Sequence, residues 1–222
     1  MEKTDYEKYI RTDELLSLQK PKETRAHPDE ILFQAIHQTF ELWFKVALSD
    51  VDEIVKQLPE GRLPRAAQLL RRTGRILEVL TEQLAILETM NPADYHVIRL
   101  ALGRGSGQDS PGFNAMLRIG GPLWDAFEAA RAKAGVDLKT LHNNAERYDQ
   151  LFAVMEGLME IDERFVRWRF CHFQLVRRII GEHVKSLKDI PAAQLIHGMR
   201  EYLFPELWAV INDVTREAKP TY

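Results

Sequence analysis

Apolar residues recur at intervals of three and four along almost the whole chain of 222 residues. In the stretch "ERFVRWRFCHFQLVRRIIG", residues 163–181, the positions Phe165, Trp168, His172 and Leu175 share one face of a helix. No segment shows the sustained alternation of a strand bounded by hairpin turns. The length suffices for one substantial domain, and no low-complexity linker divides it. The sequence therefore predicts an all-α protein, a single-domain bundle of long antiparallel helices over residues 1–222.

Prolines, glycines and capping residues divide this pattern into separate helices. We expect helices over about 3–18, 28–58, 64–90 and 91–102, one ending at 133 with a kink at 120–122, one over 137–181 and one over 192–217. The glycine-rich stretch 103–112 and the stretch 182–191 are the predicted connections.

Charge and cysteine content exclude several classes of protein. Thirty basic and thirty-three acidic residues give a net charge of -3, so nothing favours binding to nucleic acid or to an anionic membrane. No apolar run approaches the ~18–20 residues that span a bilayer, and the charged N-terminus lacks a secretory signal. The single cysteine, Cys171, excludes an internal disulfide framework and a multi-cysteine zinc site. We expect a cytoplasmic protein.

Two histidines lie on apolar helix faces, where a polar imidazole side chain is unexpected. One is His172, and the other is His37 in "EILFQAIHQTFELWFK", where Phe33, His37, Phe40 and Phe44 follow at steps of four, three and four. A single histidine of this kind is usually a core residue with a satisfied hydrogen bond. Two of them on separate aromatic faces suggest an apolar cavity flanked from opposite sides.

The motifs that are missing from the sequence exclude several kinds of metal site and catalytic site in such a cavity. The chain has no HExxH zinc motif, no inward ExxH pair for a di-metal site and no nucleophile elbow for a serine triad. Haem fits better, because it is flat and mostly apolar and is held through one axial histidine, with arginines for its propionates. We favour His172 over Cys171 as that ligand, because adjacent helix residues diverge by about 100° and only His172 lies on the apolar stripe.

The helix "NPADYHVIRLAL" carries a candidate anion-binding residue. Tyr95 and Arg99 share one of its faces at i, i+4. A half-buried arginine at this position serves either in an internal ion pair or as a clamp on a substrate carboxylate.

Together these residues resemble the tryptophan 2,3-dioxygenase family of haem oxygenases. "ILFQAIHQTFELWFK" is close to the family's distal F-x-x-x-H-Q-T-x-E-L-W, and "WRFCHFQLVRRIIG" is similar to its proximal W-R-F-R-H-x-x-M-V-x-R-I-I-G. "MNPADYHVIRLALGRGSG" resembles its substrate-binding stretch, "DYEKYI" its N-terminal tyrosine segment and "FPELWAV" its C-terminal helix. The similar segments extend from Tyr6 to Trp208 in the family's order.

The resemblance implies a cofactor, a substrate and an assembly. Haem b would be held by His172 as the axial ligand of its iron, with His37 as the catalytic distal histidine near the indole N–H. L-Tryptophan or a derivative would react with O2 at the indole C2–C3 bond, giving N-formylkynurenine. The implied substrate-binding residues are Phe33, Tyr95, Arg99, Ser106, Gly107, Ser186, Tyr6 and Tyr9. The two N-terminal tyrosines would reach into a neighbouring subunit, with residues 1–20 packing on it, since the family forms homotetramers as dimers of dimers.

Two segments depart from the family pattern. The glycine-rich G-T-G-G-S-S-G loop is replaced by "KSLKDIP", 185–191, with Ser186 where a threonine normally meets the substrate ammonium. The family's F-Q-S-x-Q-[YF]-R becomes "QDSPGFN", so an aromatic residue and an arginine are lost, and Pro111 breaks the register of a continuing helix. Because lid closure decides the fate of reactive intermediates, an altered lid leaves the reaction open. The alternatives are two-atom insertion, single-atom insertion into a tryptophan derivative, a non-catalytic haem- or indole-binding protein and a purely structural helical scaffold.

Overall fold

A computed structural model describes residues 2–103, 105–181 and 201–218, and within these ranges every regular element is a helix. In chain order the α-helices are α1 (Asp5–Ile10), α2 (Thr12–Ser17), α3 (Glu30–Gln57), α4 (Leu63–Leu87), α5 (Pro92–Ala101), α6 (Pro111–Met116), α7 (Gly120–Ala134), α8 (Leu138–Asn143), α9 (Asp149–Ile179) and α10 (Pro205–Glu217). Short 3-10 helices add Lys22–Thr24 and Gly107–Asp109. The all-α prediction is confirmed.

Three long helices form the body of the protein, with α4 packed against both α3 and α9. Leu70, Leu77, Leu80 and Leu84 of α4 recur at helical spacing and are almost fully buried. The backbones of α4 and α9 approach so closely that a Cβ on Gly157 would lie 2.8 Å from the Cβ of Leu70. The apolar stripes that the sequence shows are therefore the core.

The shorter helices surround this body. α6 and α7 pack on α3, α5 contacts α9, and α8 lies between α9 and α10. At the N-terminus, α1 and α2 contact each other and leave Tyr6 and Tyr9 70% and 88% exposed. None of the described helices is long and apolar enough to span a membrane.

Two of the predicted helices are interrupted by local backbone chemistry. The predicted helix 3–18 breaks at Arg11, whose φ of 57° is left-handed and ends α1. The predicted helix 137–181 is two helices, α8 and α9. The side-chain amide of Asn144 donates to the carbonyl of Thr140 at 2.8 Å, which satisfies the end of α8 and stops the chain from continuing as a helix.

The predicted helix ending at 133 and the predicted last helix also differ. Pro111 does not break a continuing helix but begins one, α6, and a turn at 117–119 rather than a kink separates α6 from α7. At the C-terminus, residues 201–204 are not helical and α10 begins at Pro205. The buried carboxylate of Asp162 accepts the backbone N–H groups of Leu203 and Phe204, which fixes this segment against α9.

Candidate functional site

A pocket opens between α3, the end of α4, α5 and the last turns of α9. It contains about 430 Å³ of space when its open mouth is included. The lining residues are mainly aliphatic and aromatic: Phe33, His37, Phe40, Leu87, Met90, Tyr95, His172, Leu175, Val176, Ile179 and Ile180. The structure thus brings His37 and His172 into the same apolar pocket from separate helices.

His37 is fixed in one tautomer by its own helix. Its Nδ1 lies 2.7 Å from the carbonyl oxygen of Phe33, one turn earlier. A carbonyl oxygen only accepts, so Nδ1 carries the hydrogen and Nε2 keeps a lone pair in the neutral ring. Burial lowers the pKa of His37 below its ordinary value, although the Phe33 carbonyl and the Glu41 carboxylate act in the opposite direction. His37 is therefore a hydrogen-bond acceptor in this pocket at neutral pH.

The side chain of His172 makes no hydrogen bond to a described residue, and its ring is stacked on that of Trp168. The Trp168 ring lies 5.3 Å away, centroid to centroid, and only 6° from parallel. Burial lowers the pKa of His172 to about 4, and the nearby His37 adds to the shift. A neutral imidazole with a free ring nitrogen, on an apolar wall, is the form that ligates a metal ion.

Phe33 and Tyr95 complete the wall beside His37. The Phe33 ring centroid is 4.0 Å from that of His37 and 5.9 Å from that of Tyr95. Burial raises the pKa of the Tyr95 hydroxyl, and the charge of Arg99 opposes this rise. Arg99 is half-buried on α5 and is not among the residues that line the pocket.

Other predicted site residues lie away from the pocket in the described part of the chain. Ser106 caps a 3-10 helix, its Oγ accepting the N–H of Gln108 at 3.3 Å, and Gly107 is exposed. Tyr6 and Tyr9 stand on α1 and face solvent in the single chain. Ser186 and the whole replaced loop at 185–191 lie outside the described residues.

The alternative iron ligand, Cys171, does not line the pocket. Its half-buried side chain packs against the hydrophobic core. This position agrees with the divergence of neighbouring side chains on a helix, since His172 lines the pocket and Cys171 does not.

Two residues beside the site were not predicted from the sequence. Glu41, one turn after His37, accepts the Ser110 hydroxyl and, at 3.0 Å, the Gly112 N–H. Phe113 follows on α6 and packs against Trp168 with ring centroids 5.3 Å apart. The only available signal was Glu41 within the H-Q-T-x-E-L-W motif, because contacts between positions some 70 residues apart leave no periodic trace.

The chemistry of this pocket fits a flat, largely apolar group that contains a metal. Apolar side chains form most of its wall, and a neutral imidazole that makes no hydrogen bond to a described residue is aimed at it from α9. Arg177 and Arg178 are exposed in the last turn of α9, next to the lining residue Ile179. Haem has this combination of an iron that takes an imidazole, an apolar ring and acidic propionates.

Comparison with known proteins supplies the family. The sequence profile described as Tryptophan 2,3-dioxygenase matches residues 1–120, more than half of the chain. A tryptophan 2,3-dioxygenase of Caulobacter vibrioides is 31% identical, over 92% of this chain and 96% of that protein. The chain belongs to the tryptophan 2,3-dioxygenase family.

Further relatives in this family support the assignment over more than nine tenths of the chain. Proteins of the same name from Herpetosiphon aurantiacus and Xanthomonas oryzae pv. oryzae are 29% and 28% identical, over 94% and 97% of this chain and 98% and 89% of their own lengths. Membership in this family makes the chain an oxidoreductase.

Proposed function

We propose that this protein is a haem-dependent oxygenase that inserts oxygen from O2 into the indole C2–C3 region of L-tryptophan or a substituted tryptophan. One observation carries the proposal: two neutral histidines on separate helices line a single apolar pocket in a member of the tryptophan 2,3-dioxygenase family. His172 is the ligand of the haem iron, and His37 faces the substrate.

The haem is held by α9 and by the apolar walls of the pocket. His172 ligates the iron, Leu175 and Ile179 contact the apolar ring, and Arg177 or Arg178 pairs with the propionates. When bound, ferrous haem supplies the centre at which O2 binds and is activated.

The substrate indole lies against α3 and α5. The Nε2 atom of His37 accepts the indole N–H, which fixes the ring and takes part of the positive charge that develops when C2–C3 is oxidised. Phe33 and Tyr95 supply the apolar contacts. Arg99, one turn beyond Tyr95 on α5, binds the substrate carboxylate.

Other parts of the chain complete this site. Ser106 and Gly107 belong to the loop beside the haem and the indole, and the Ser186 hydroxyl supplies a hydrogen bond to the ligand. Tyr6 and Tyr9 reach into the pocket of a neighbouring subunit in a homo-oligomer built as a dimer of dimers. The large exposed area of these two tyrosines in the single chain supports this assignment, because aromatic surface of that size gains free energy by burial.

Haem binding is tested first with the purified protein. Reconstitution should give a Soret band, and His172→Ala should change it by removing the axial nitrogen. His172→Ala with unchanged iron ligation would refute the assignment of the ligand. In a purely structural scaffold, leucine at His37 and His172 would keep or raise the stability of the fold.

The two types of reaction are then distinguished by the number of O2-derived atoms in the product and by the need for an added reductant. Two-atom insertion places both atoms of one O2 in the product and needs no external electrons. Single-atom insertion sends the second atom to water and consumes two electrons from an added reductant. A spectral response to L-tryptophan with no O2 consumed, with or without reductant, would identify a non-catalytic binding protein instead.

A further inference from the structure

The segment that departs from the family pattern, residues 108–114, is tied to the helix that carries His37. The Ser110 hydroxyl and the Gly112 N–H donate to the two carboxylate oxygens of Glu41 on α3. Ser110 Oγ in turn accepts the N–H of Phe113 at 3.0 Å, which caps α6. One carboxylate on α3 thus sets where α6 begins.

The backbone of α6 also touches α3 directly. A Cβ on Gly112 would lie 2.7 Å from the Glu41 Oε2 atom and 2.7 Å from the Cβ of Phe44. Contacts under 3.0 Å do not occur for real Cβ atoms, so only glycine permits this approach. The position of α6 on α3 is therefore fixed by close backbone packing as well as by hydrogen bonds.

With α6 in this position, Phe113 contacts Trp168, the residue whose ring is stacked on His172. Phe113 lies 5.3 Å from Trp168 and 5.9 Å from Phe165, ring centroid to ring centroid. Trp168 contacts both Phe113 and His172, and its ring is stacked on the imidazole. A row of three rings connects α6 to His172.

Neither the Trp168 indole nor the His172 imidazole is oriented by a hydrogen bond to a described residue. The Nε1 atom of Trp168 is buried without a partner there, and the ring of His172 is stacked on the indole and makes no hydrogen bond to a described residue. The plane of the imidazole therefore depends on the plane of Trp168, which depends on the rings packed around it. Phe113 is the one of these rings that the departing segment contributes.

We propose that Phe113, seated by Glu41 and Gly112, is a positioning residue that fixes the Trp168 indole and, through it, the plane of the His172 imidazole. This inference rests on the proposed role of His172 as haem ligand. A histidine ligand held by its neighbours in one orientation would give one form of the iron centre, because contacts around a ligand orient it toward the metal.

The test compares Phe113→Leu with Phe127→Leu in the haem-loaded protein. Both changes remove a packed phenyl ring, but Phe127 is fully buried on α7 beside Trp124, away from the pocket. The readout is the electron paramagnetic resonance spectrum of the ferric cyanide complex, which reports the orientation of the axial imidazole plane. We expect one sharp low-spin signal for wild type and Phe127→Leu. For Phe113→Leu we expect a broadened or second signal, with a haem Kd raised roughly 10-fold.

A second matched pair acts on the backbone. Gly112→Ala should push α6 off α3 and reproduce the Phe113→Leu spectrum, whereas a Cβ on Gly121 meets nothing within 4 Å and Gly121→Ala should leave the spectrum unchanged. Spectra of Phe113→Leu and Gly112→Ala identical to wild type would overturn the positioning role alone. A wild-type protein without bound haem, or iron ligation unchanged in His172→Ala, would overturn the proposed function together with it.

Discussion

Replacing Asp162 by asparagine should release the C-terminal segment from the body of the protein. This carboxylate is fully buried on α9 and accepts three hydrogen bonds from the far end of the described chain. The donors are the backbone N–H of Leu203 at 3.0 Å, that of Phe204 at 3.2 Å and the indole Nε1–H of Trp208 at 2.9 Å. Together they hold the start of α10 against α9.

The size of the effect follows from this geometry. A hydrogen bond to a charged acceptor contributes about 1.5–3 kcal/mol. Asparagine keeps one acceptor oxygen and turns an NH2 group toward the remaining donors, which leaves a buried N–H unsatisfied. We expect the free energy of unfolding to fall by about 3–5 kcal/mol. Trp208→Phe removes one donor of the three and should cost about 1.5–3 kcal/mol.

Urea unfolding of the haem-free protein, followed by far-UV circular dichroism and by tryptophan fluorescence, measures both changes. Asp213→Asn is the matched control, because Asp213 is exposed on α10 and pairs only with Arg216 among the described residues. Its unfolding curve should overlay that of wild type. A loss below about 1 kcal/mol for Asp162→Asn would refute the reasoning, since it would mean that the three donors find equal partners without the carboxylate.

Three further changes test other parts of the molecule. Arg99→Ala should weaken binding of L-tryptophan by roughly 10- to 100-fold, as expected for a charged hydrogen bond, and binding of indole hardly at all; equal losses in a titration would contradict the carboxylate clamp. Deleting residues 1–10 should impair turnover and leave the Soret band intact, and full activity after this truncation would contradict a role for the N-terminal tyrosines. Gly157→Ala should lower the free energy of unfolding by about 1–3 kcal/mol because its Cβ meets Leu70, whereas Gly121→Ala, which meets nothing, should not; equal stabilities would mean that α4 and α9 separate at little cost.

Periodicity made the long helices and the pocket between α3 and α9 predictable. Buried faces repeat every three to four residues, so the positions of His37 and His172 within their apolar stripes are enough to place both imidazoles in the interior. Two apolar stripes that each carry a histidine then meet when their helices pack. This is why the pocket between α3 and α9 followed from the sequence.

The interruptions of the predicted helices and the polar contacts between distant segments could not be predicted in the same way. Arg11 adopts a left-handed conformation that its side chain does not favour, and the amide of Asn144 competes with the helix through a local hydrogen bond. Asp162 and Glu41 bind backbone groups 41 and 71 positions away, and a pairing of that range has no signature within one helix. The polar contacts that orient the site are therefore set by tertiary packing.

The most direct test of the proposed oxygenase activity is mass spectrometry of the product formed from L-tryptophan under 18O2 by the reduced, haem-reconstituted protein. We predict a product in which the indole ring carries oxygen from 18O2, and no such product from the His172→Ala variant. Absence of labelled product from L-tryptophan and from ring- or side-chain-substituted tryptophans, in a protein that holds haem and is supplied with reductant, would contradict this activity.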